Sequence, residues 1–224
     1  MSIWLQEGMT DLARLLEEEA QLVATAIRDA AAAFAERDVA EAEAVIALDD
    51  EVDSRYLRIE EGVQELLARQ TPVAIDLRRI LAMLHVNLHL ERIADYCVTI
   101  AKLARLTAGL PVDPQLEEAF EATAARAAEI VAVAVASFFG GDVEAARRLV
   151  ELDEPIDAAN RAVVERVLAL GLERGRHEWA LRMILVSRCL ERIGDHAVDI
   201  GEQTAFMVTG AFHEFTDASH PLEA

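Results

Sequence analysis

Pairs of acidic side chains four residues apart are the feature of this sequence that could do chemistry. The pairs are Asp49 with Asp53, Glu91 with Asp95, Asp153 with Asp157, and Glu191 with Asp195. Residues i and i+4 share one face of an α-helix, with their Cβ atoms about 5–6 Å apart. Two such pairs on neighbouring helices would bring four carboxylates together, and carboxylate oxygens are the ligands that hard metal cations prefer.

One acidic pair alone carries no weight in so acidic a chain. Asp and Glu occupy 41 of 224 positions, so about seven pairs at this spacing are expected by chance. The position of the pairs along their helices is more informative, because Pro72 lies about midway between Asp53 and Glu91. A turn at Pro72 places both pairs at similar height on two antiparallel helices. Four carboxylates can therefore converge in the groove between those helices.

The second half of the chain repeats the first. Phe34, Asp38, Asp49 and Asp53 match Phe138, Asp142, Asp153 and Asp157 at one constant offset. The segments 90–95 and 190–195 match at an offset that is four residues, or about one helical turn, shorter. Both halves therefore carry the same arrangement of acidic pairs.

The elements that position these acids are predicted to be helices. Only 5 Pro and 10 Gly interrupt the chain, which disfavours an all-β fold and favours long helices. Six are predicted, at about 10–36, 38–69, 73–107, 114–140, 142–170 and 175–209. We expect an all-α protein of two tandem antiparallel three-helix bundles, residues 1–110 and 111–215, with a flexible tail at 216–224.

The position of the acids along the third helix favours a metal site over solvated charge. Leu77, Leu81, Leu84 and Leu88 are spaced as a heptad-like seam that faces a partner helix, and the next steps reach Glu91 and Asp95. Crowded carboxylates in a partly buried groove repel one another, and a cation removes that cost. The alternative is that the acids are solvated or paired with Arg92 and Arg192. Carboxylate ligands suit iron(III), manganese, magnesium or calcium better than copper.

The histidines offer thinner support for metal binding. His85 and His89 form an i,i+4 pair that could be half of a zinc site, but they point away from Glu91 and Asp95 around the helix. We expect them to be structural. His196 is a weak candidate ligand, and Asp199, one turn after Asp195, is a better one.

Composition and missing motifs exclude several functions. A net charge of −20 disfavours nucleic acid and anionic membranes as ligands. No apolar run approaches the roughly 18 residues of a membrane span, no signal peptide is visible, and Cys97 and Cys189 are expected to be buried reduced thiols of a cytoplasmic protein. No histidine follows a glutamate by three residues as in ferritin-like di-iron enzymes, and no phosphate-binding glycine loop or nucleophile elbow is present. We do not expect an enzyme.

Three segments resemble the PhoU family of phosphate-specific transport regulators. They are LERIADY at 90–96, LERIGDHAV at 190–198 and PVAIDLR at 72–78, and the likeness covers about residues 10–210. It implies a cytoplasmic negative regulator of phosphate uptake and of the phosphate-starvation response, peripheral to the inner face of the membrane. The implied partners are the ATPase subunit of the phosphate ABC transporter and a sensor histidine kinase, and we expect a homodimer.

The resemblance also implies multinuclear metal clusters at paired E(D)xxxD motifs. The predicted ligands are Asp49, Asp53, Glu91, Asp95, Asp153, Asp157, Glu191, Asp195 and Asp199. Iron is the expected metal, with manganese, magnesium or zinc as alternatives. The family commonly has Asn where this chain has Thr99 and Asp199, so the extra acid could change the second site. Two other functions stay open: an acidic helical adaptor or chaperone without metal, and a carboxylate-bridged metalloenzyme.

Overall fold

The computed structural model describes residues 2–170 and 174–215, except for the side chains of residues 174 and 175. These residues form helices joined by short turns. The helices are α1 (Ile3–Glu36), α2 (Val39–Gln70), α3 (Ala74–Thr107), α4 (Pro114–Gly140), α5 (Val143–Arg147), α6 (Leu149–Ala169) and α7 (Arg174–Thr209). The predicted break at Gly171 and the predicted flexible tail at 216–224 lie outside the described residues.

Side-chain caps fix most of the helix starts. Asp38 Oδ1 accepts hydrogen bonds from the backbone N–H groups of Ala40 and Glu41, at the predicted start of the second helix. Asp142 caps α5 in the same way. Helix α1 begins seven residues before the predicted Thr10, because Ser2 Oγ accepts from the N–H of Leu5 at 3.1 Å. These additional residues, about two turns, include Leu5, which is buried in the core.

The fifth predicted helix is interrupted at one residue. Arg148 has ψ of −10°, far from the ordinary helical value of about −42°. The Glu151 N–H therefore reaches back only three residues, to the Arg148 carbonyl at 3.1 Å, in a 3₁₀-type bond. Helices α5 and α6 thus take the place of one predicted helix, and the plan of two three-helix units is kept.

The two units share one hydrophobic core. Helix α1 packs on α2 and α3 in the first unit, and α4, α5 and α6 pack on α7 in the second. The units meet where α3 lies along α7 and where α1 lies along α4. Phe34 of α1 contacts Phe120 of α4 and Trp179 of α7, with ring centroids 4.7 and 6.4 Å apart. Helices α3 and α7, which carry the Glu-xxx-Asp pairs, are therefore the central rods of the molecule.

The predicted leucine seam is displaced from the true core. The buried stripe of α3 runs through Met83, Leu90 and Ala94, one residue away from the predicted positions. Leu88 is 36% exposed, and Leu81 and Leu84 are half-buried, so the seam lies at the edge of the buried face. Glu91 and Asp95 consequently lie on the flank of the helix, half-buried beside α2.

The expectation that no apolar stretch approaches the length of a membrane span was wrong for helix α4. Within residues 2–170 and 174–215 it is the one helix long and apolar enough to cross a membrane, with mean hydropathy 1.5 over its most apolar window. Its side chains Phe120, Ile130 and Phe138 are buried in the core. A core helix of a bundle has this composition, and that role accounts for the apolar stretch.

Candidate functional site

Three carboxylates of the second unit gather at one point. Asp153 and Asp157 project from α6, and Asp195 projects from the facing side of α7. One carboxylate oxygen from each lies within 4.8 Å of the others. Asp153 is buried, with 9% exposure, and the other two are half-buried. The structure thus brings together three of the four acids predicted for this unit, and Glu191 lies one turn away from Asp195.

A glycine opens the space that Asp153 occupies. Gly194 lies on α7 directly opposite Asp153, and a β-carbon at that position would overlap Asp153 Oδ1. The same β-carbon would lie 3.5 Å from Ile156 Cδ1, an ordinary contact, so Asp153 is the residue that would have to move. Glycine in a helix interior costs about 0.5–1 kcal/mol relative to alanine, and here it permits the carboxylate to reach α7.

Crowding and burial favour protonation of this cluster. Burial, together with the charges of Asp157 and Asp195, raises the pKa of Asp153 to about 7. Burial is also the leading cause that raises the pKa of Asp157, of Asp195 and of Glu191. All four acids therefore resist ionisation in the absence of a compensating cation.

Arginines on the solvent side neutralise part of the cluster. Arg192 Nη1 lies 3.1 Å from Asp195 Oδ2, and Arg188 pairs with Glu191. Arg161 lies 3.9 Å from Asp157 Oδ2. These pairs do not reach the buried oxygens of the cluster. Asp153 Oδ1 and Asp157 Oδ1 have no hydrogen-bond partner within the described part of the chain.

The donor set fits a hard cation. Two buried, unpartnered carboxylate oxygens and a third nearby oxygen from another helix are what iron(III), manganese or magnesium would coordinate. A cation there would also replace the hydrogen bonds that Asp153 and Asp157 lack. The ligands that would hold it are Asp153, Asp157 and Asp195, with Glu191 at the rim.

The first unit is more open. Asp49, Asp53, Glu91 and Asp95 do not form such a group among the described residues, although burial and neighbouring acids raise the pKa of Asp49 and of Glu91. Arg92 lies 3.2 Å from Asp95 Oδ2 and 3.4 Å from Glu91 Oε2, and Asp53 is exposed. The position that corresponds to Gly194 is Ala94.

A fifth acid of the first unit was missed from the sequence. Glu19 of α1 is fully buried, and neither of its carboxylate oxygens has a hydrogen-bond partner among the residues described. Burial, and then the charge of Glu91, raises the pKa of Glu19 to about 9. Glu19 follows Leu12 and Leu16 on the buried stripe of α1, which is the signal that could have identified it.

Asp199 lies with two histidines. Its Oδ2 atom is 3.5 Å from His89 Nδ1 and 3.4 Å from His196 Nδ1, and the two nitrogens are 3.0 Å apart. Burial lowers the pKa of His89 to about 4. His85 lies outside this group. Cys97 and Cys189 are buried free thiols, as expected.

Several relatives of this chain are named phosphate-specific transport system accessory proteins. A phosphate-specific transport system accessory protein PhoU homolog of Xylella fastidiosa is 31% identical over 204 residues, covering 89% of this chain and 86% of the relative. PhoU homolog 2 of Mycobacterium tuberculosis is 30% identical, covering 92% of this chain and 97% of the relative. The crystal structure of PhoU from Pseudomonas aeruginosa has a TM-score of 0.87 and 26% identity, covering 92% of this chain and 99% of that one.

A second solved structure shows the same fold. The phosphate transport system regulatory protein PhoU from Streptococcus pneumoniae superposes with a TM-score of 0.83 at 23% identity, covering 93% of this chain and 99% of that one. The family model described as "PhoU domain" matches the chain twice, at residues 16–104 and 121–204. Each three-helix unit therefore carries one match. The chain therefore belongs to the PhoU family of phosphate transport accessory and regulatory proteins.

Proposed function

We propose that this protein is a metal-dependent negative regulator of phosphate uptake and of the phosphate-starvation response. The observation that carries the metal part is the convergence of Asp153, Asp157 and Asp195, with two buried oxygens left unpartnered by the described residues. The phosphate part rests on family membership and on relatives that are phosphate-specific transport accessory proteins.

The protein acts, in this proposal, by contact with other proteins. Its partners are the ATPase subunit of the phosphate ABC transporter and the sensor histidine kinase of the phosphate response. It works as a homodimer in the cytoplasm, on the inner face of the membrane. The names of its relatives, which describe transport accessory and regulatory proteins, support an association with the transporter. No catalysis is assigned to it.

The metal fixes the surface that those partners contact. A cation bound between α6 and α7 neutralises the acids that otherwise repel one another, and holds the two helices at one distance. Iron is the proposed metal, with manganese, magnesium or zinc as alternatives. In the first unit, Asp49, Asp53, Glu91 and Asp95 form the corresponding and weaker site.

Metal analysis tests the site assignment. The wild-type protein is purified without chelator beside Asp195→Ala and Asp95→Ala, with Asp142→Ala, an exposed helix cap, as the matched control. We expect the metal content to fall most in Asp195→Ala, to fall less in Asp95→Ala, and to stay at the wild-type level in Asp142→Ala. Equal metal in all four samples would contradict the assignment.

Pull-downs test the regulatory role. The wild-type protein is offered the transporter ATPase subunit and the histidine kinase at high and low phosphate. We expect capture of both partners, stronger at high phosphate, and weaker capture by Asp195→Ala. Absence of capture at either phosphate concentration would contradict the proposal even if the metal sites are real.

An acidic adaptor without metal is the second candidate. The arginine pairs of Asp195, Glu191 and Asp157 favour it, because they already offset part of the charge. This candidate predicts partner capture that is unchanged by a chelator. The metal-dependent candidate predicts that a chelator weakens capture and that added metal restores it.

A further inference from the structure

A histidine pair bridges the two units about one turn along α7 from Asp195. His89 comes from α3 in the first unit, whereas His196 and Asp199 come from α7 in the second. The atoms His89 Nδ1, His196 Nδ1 and Asp199 Oδ2 are separated by 3.0, 3.4 and 3.5 Å. They therefore form a nearly equilateral triangle at the seam between the units.

The sides of this triangle match the coordination shell of zinc. Bonds of about 2.0–2.2 Å to nitrogen and carboxylate oxygen in a tetrahedral site place the ligand atoms about 3.3–3.5 Å apart. The three separations lie at or just below that range, so a cation could be bound with small movements of the three side chains. Both histidines are mostly buried, with side-chain exposures of 16% and 20%.

Hydrogen bonding alone leaves this arrangement incomplete. Two neutral imidazoles share one proton across the 3.0 Å contact between their Nδ1 atoms. The nitrogen that accepts this hydrogen bond has no proton to donate to Asp199 Oδ2. This nitrogen and the carboxylate oxygen are then two acceptors that face each other at 3.4–3.5 Å. A divalent cation accepts a lone pair from each of the three atoms and removes that conflict.

Two of the three residues, His89 and Asp199, also line a cleft. A cavity of about 630 Å³ is lined by His85, His89, Asp199, Glu202, Gln203 and Phe206. Three protein ligands and a fourth position reached by water are the usual form of an accessible zinc site. Tyr96 stacks on His196 with ring centroids 5.9 Å apart, which supports the orientation of that ring.

We propose that His89, His196 and Asp199 form a zinc site that joins the two units, separate from the carboxylate clusters. The positions that correspond to these ligands in the opposite unit are Cys189, Tyr96 and Thr99, so the site occurs once per chain. Since its ligands come from both units, bound zinc holds α3 against α7. The site gives this protein a zinc-dependent link between α3 and α7, whereas each carboxylate cluster lies within one unit.

Cobalt(II) and zinc(II) titrations of the full chain test this site. Cobalt in a tetrahedral nitrogen and oxygen environment absorbs visible light, and zinc displaces it. We expect one cobalt with this absorption per chain, together with a rise in melting temperature on adding zinc. His89→Gln, His196→Gln and Asp199→Asn should each weaken zinc binding at least about tenfold and abolish the melting shift.

The matched controls separate this site from the carboxylate clusters. His85→Gln removes a histidine one turn before His89 and should keep the absorption and the shift. Asp153→Asn, which belongs to the carboxylate cluster, tests whether the absorption arises there instead. Circular dichroism verifies folding, and Asp199→Asn, whose side chain is 41% exposed, carries the test if a histidine variant misfolds. Absorption that persists in Asp199→Asn and both histidine variants, or that is lost only in Asp153→Asn, would overturn the proposal.

Discussion

Asp153 Oδ1 occupies the space that the β-carbon of any residue larger than glycine would need at position 194 of α7. Asp153 reaches α7 only because Gly194 has no side chain. In the first unit the corresponding residues are Asp49 and Ala94, and there the acids do not gather among the described residues. The methyl group of Ala94 is one difference between the two units, beside the pairing of Arg92 with Glu91 and Asp95.

Gly194→Ala should weaken metal binding by the second unit. The added methyl group displaces Asp153 from α7 and separates its carboxylate from Asp195, so we expect the affinity for manganese to fall at least about tenfold. Helix propensity favours alanine by about 1 kcal/mol, which offsets part of the loss of stability from the clash. Manganese titration followed by calorimetry measures the affinity.

Gly140→Ala is the control for that substitution, because a β-carbon there meets nothing within 4 Å. It should leave manganese affinity at the wild-type value. If Gly194→Ala binds manganese as tightly as Gly140→Ala does, the glycine does not position the site.

The reverse change in the first unit should strengthen its site. Ala94→Gly removes the methyl group at the position that corresponds to Gly194, so we expect Asp49 to approach α3 as Asp153 approaches α7. We expect the manganese affinity of the first unit to rise several-fold, at a cost of about 1 kcal/mol in stability from the glycine. Titration in an Asp153→Asn background isolates the first unit, and an unchanged or lower affinity would show that Ala94 is not the obstacle.

Metal binding by the second unit should depend on pH in the neutral range. Burial raises the pKa of Asp153 to about 7, so a proton competes with the cation below that pH. We expect manganese affinity to rise about tenfold per pH unit below 7 and to level off above it. Asp153→Asn should bind more weakly and with a shallower pH dependence. Identical slopes in both proteins would show that Asp153 does not control the competition.

Much of the fold could be predicted because its boundaries are set by local chemistry. Asp38, Pro72 and Asp142 act within a few residues of themselves, so the ends that they set were predicted almost correctly. The predicted buried face of α3 was displaced by one residue because this helix contacts α1, α2 and α7. A helix with three neighbours buries a broad face, and leucines such as Leu88 can then lie at its edge.

The candidate sites depended more on contacts between distant segments. The spacing of Asp153, Asp157 and Asp195 was visible in the sequence, but the role of Gly194 depends on the separation of α6 and α7. The pairing of His89 with His196 depends on how the two units pack, for which no local pattern exists. Glu19 had a local signal, since it shares the stripe of Leu12 and Leu16, but adjoining glutamates obscured it.

Glu19→Gln should stabilise the protein at alkaline pH. Burial raises the pKa of Glu19 from 4.5 to about 9, so between these values the unfolded chain releases a proton that the folded chain retains. The free energy of unfolding therefore falls as pH rises through this window, by at most about 1.4 kcal/mol per unit. Glutamine cannot ionise and removes that loss. We expect near-equal stability at pH 5 and a variant more stable by about 1–3 kcal/mol at pH 8.

Urea unfolding at pH 5 and pH 8 measures this difference, because the other carboxylates contribute equally to both proteins. Glu17→Gln is the matched control: Glu17 is exposed on the same helix, and its replacement should leave the pH dependence of stability as in the wild type. The explanation fails if Glu19→Gln and the wild type lose the same stability between the two pH values. Such a result would mean that Glu19 ionises in the folded protein with a counter-charge that offsets its burial.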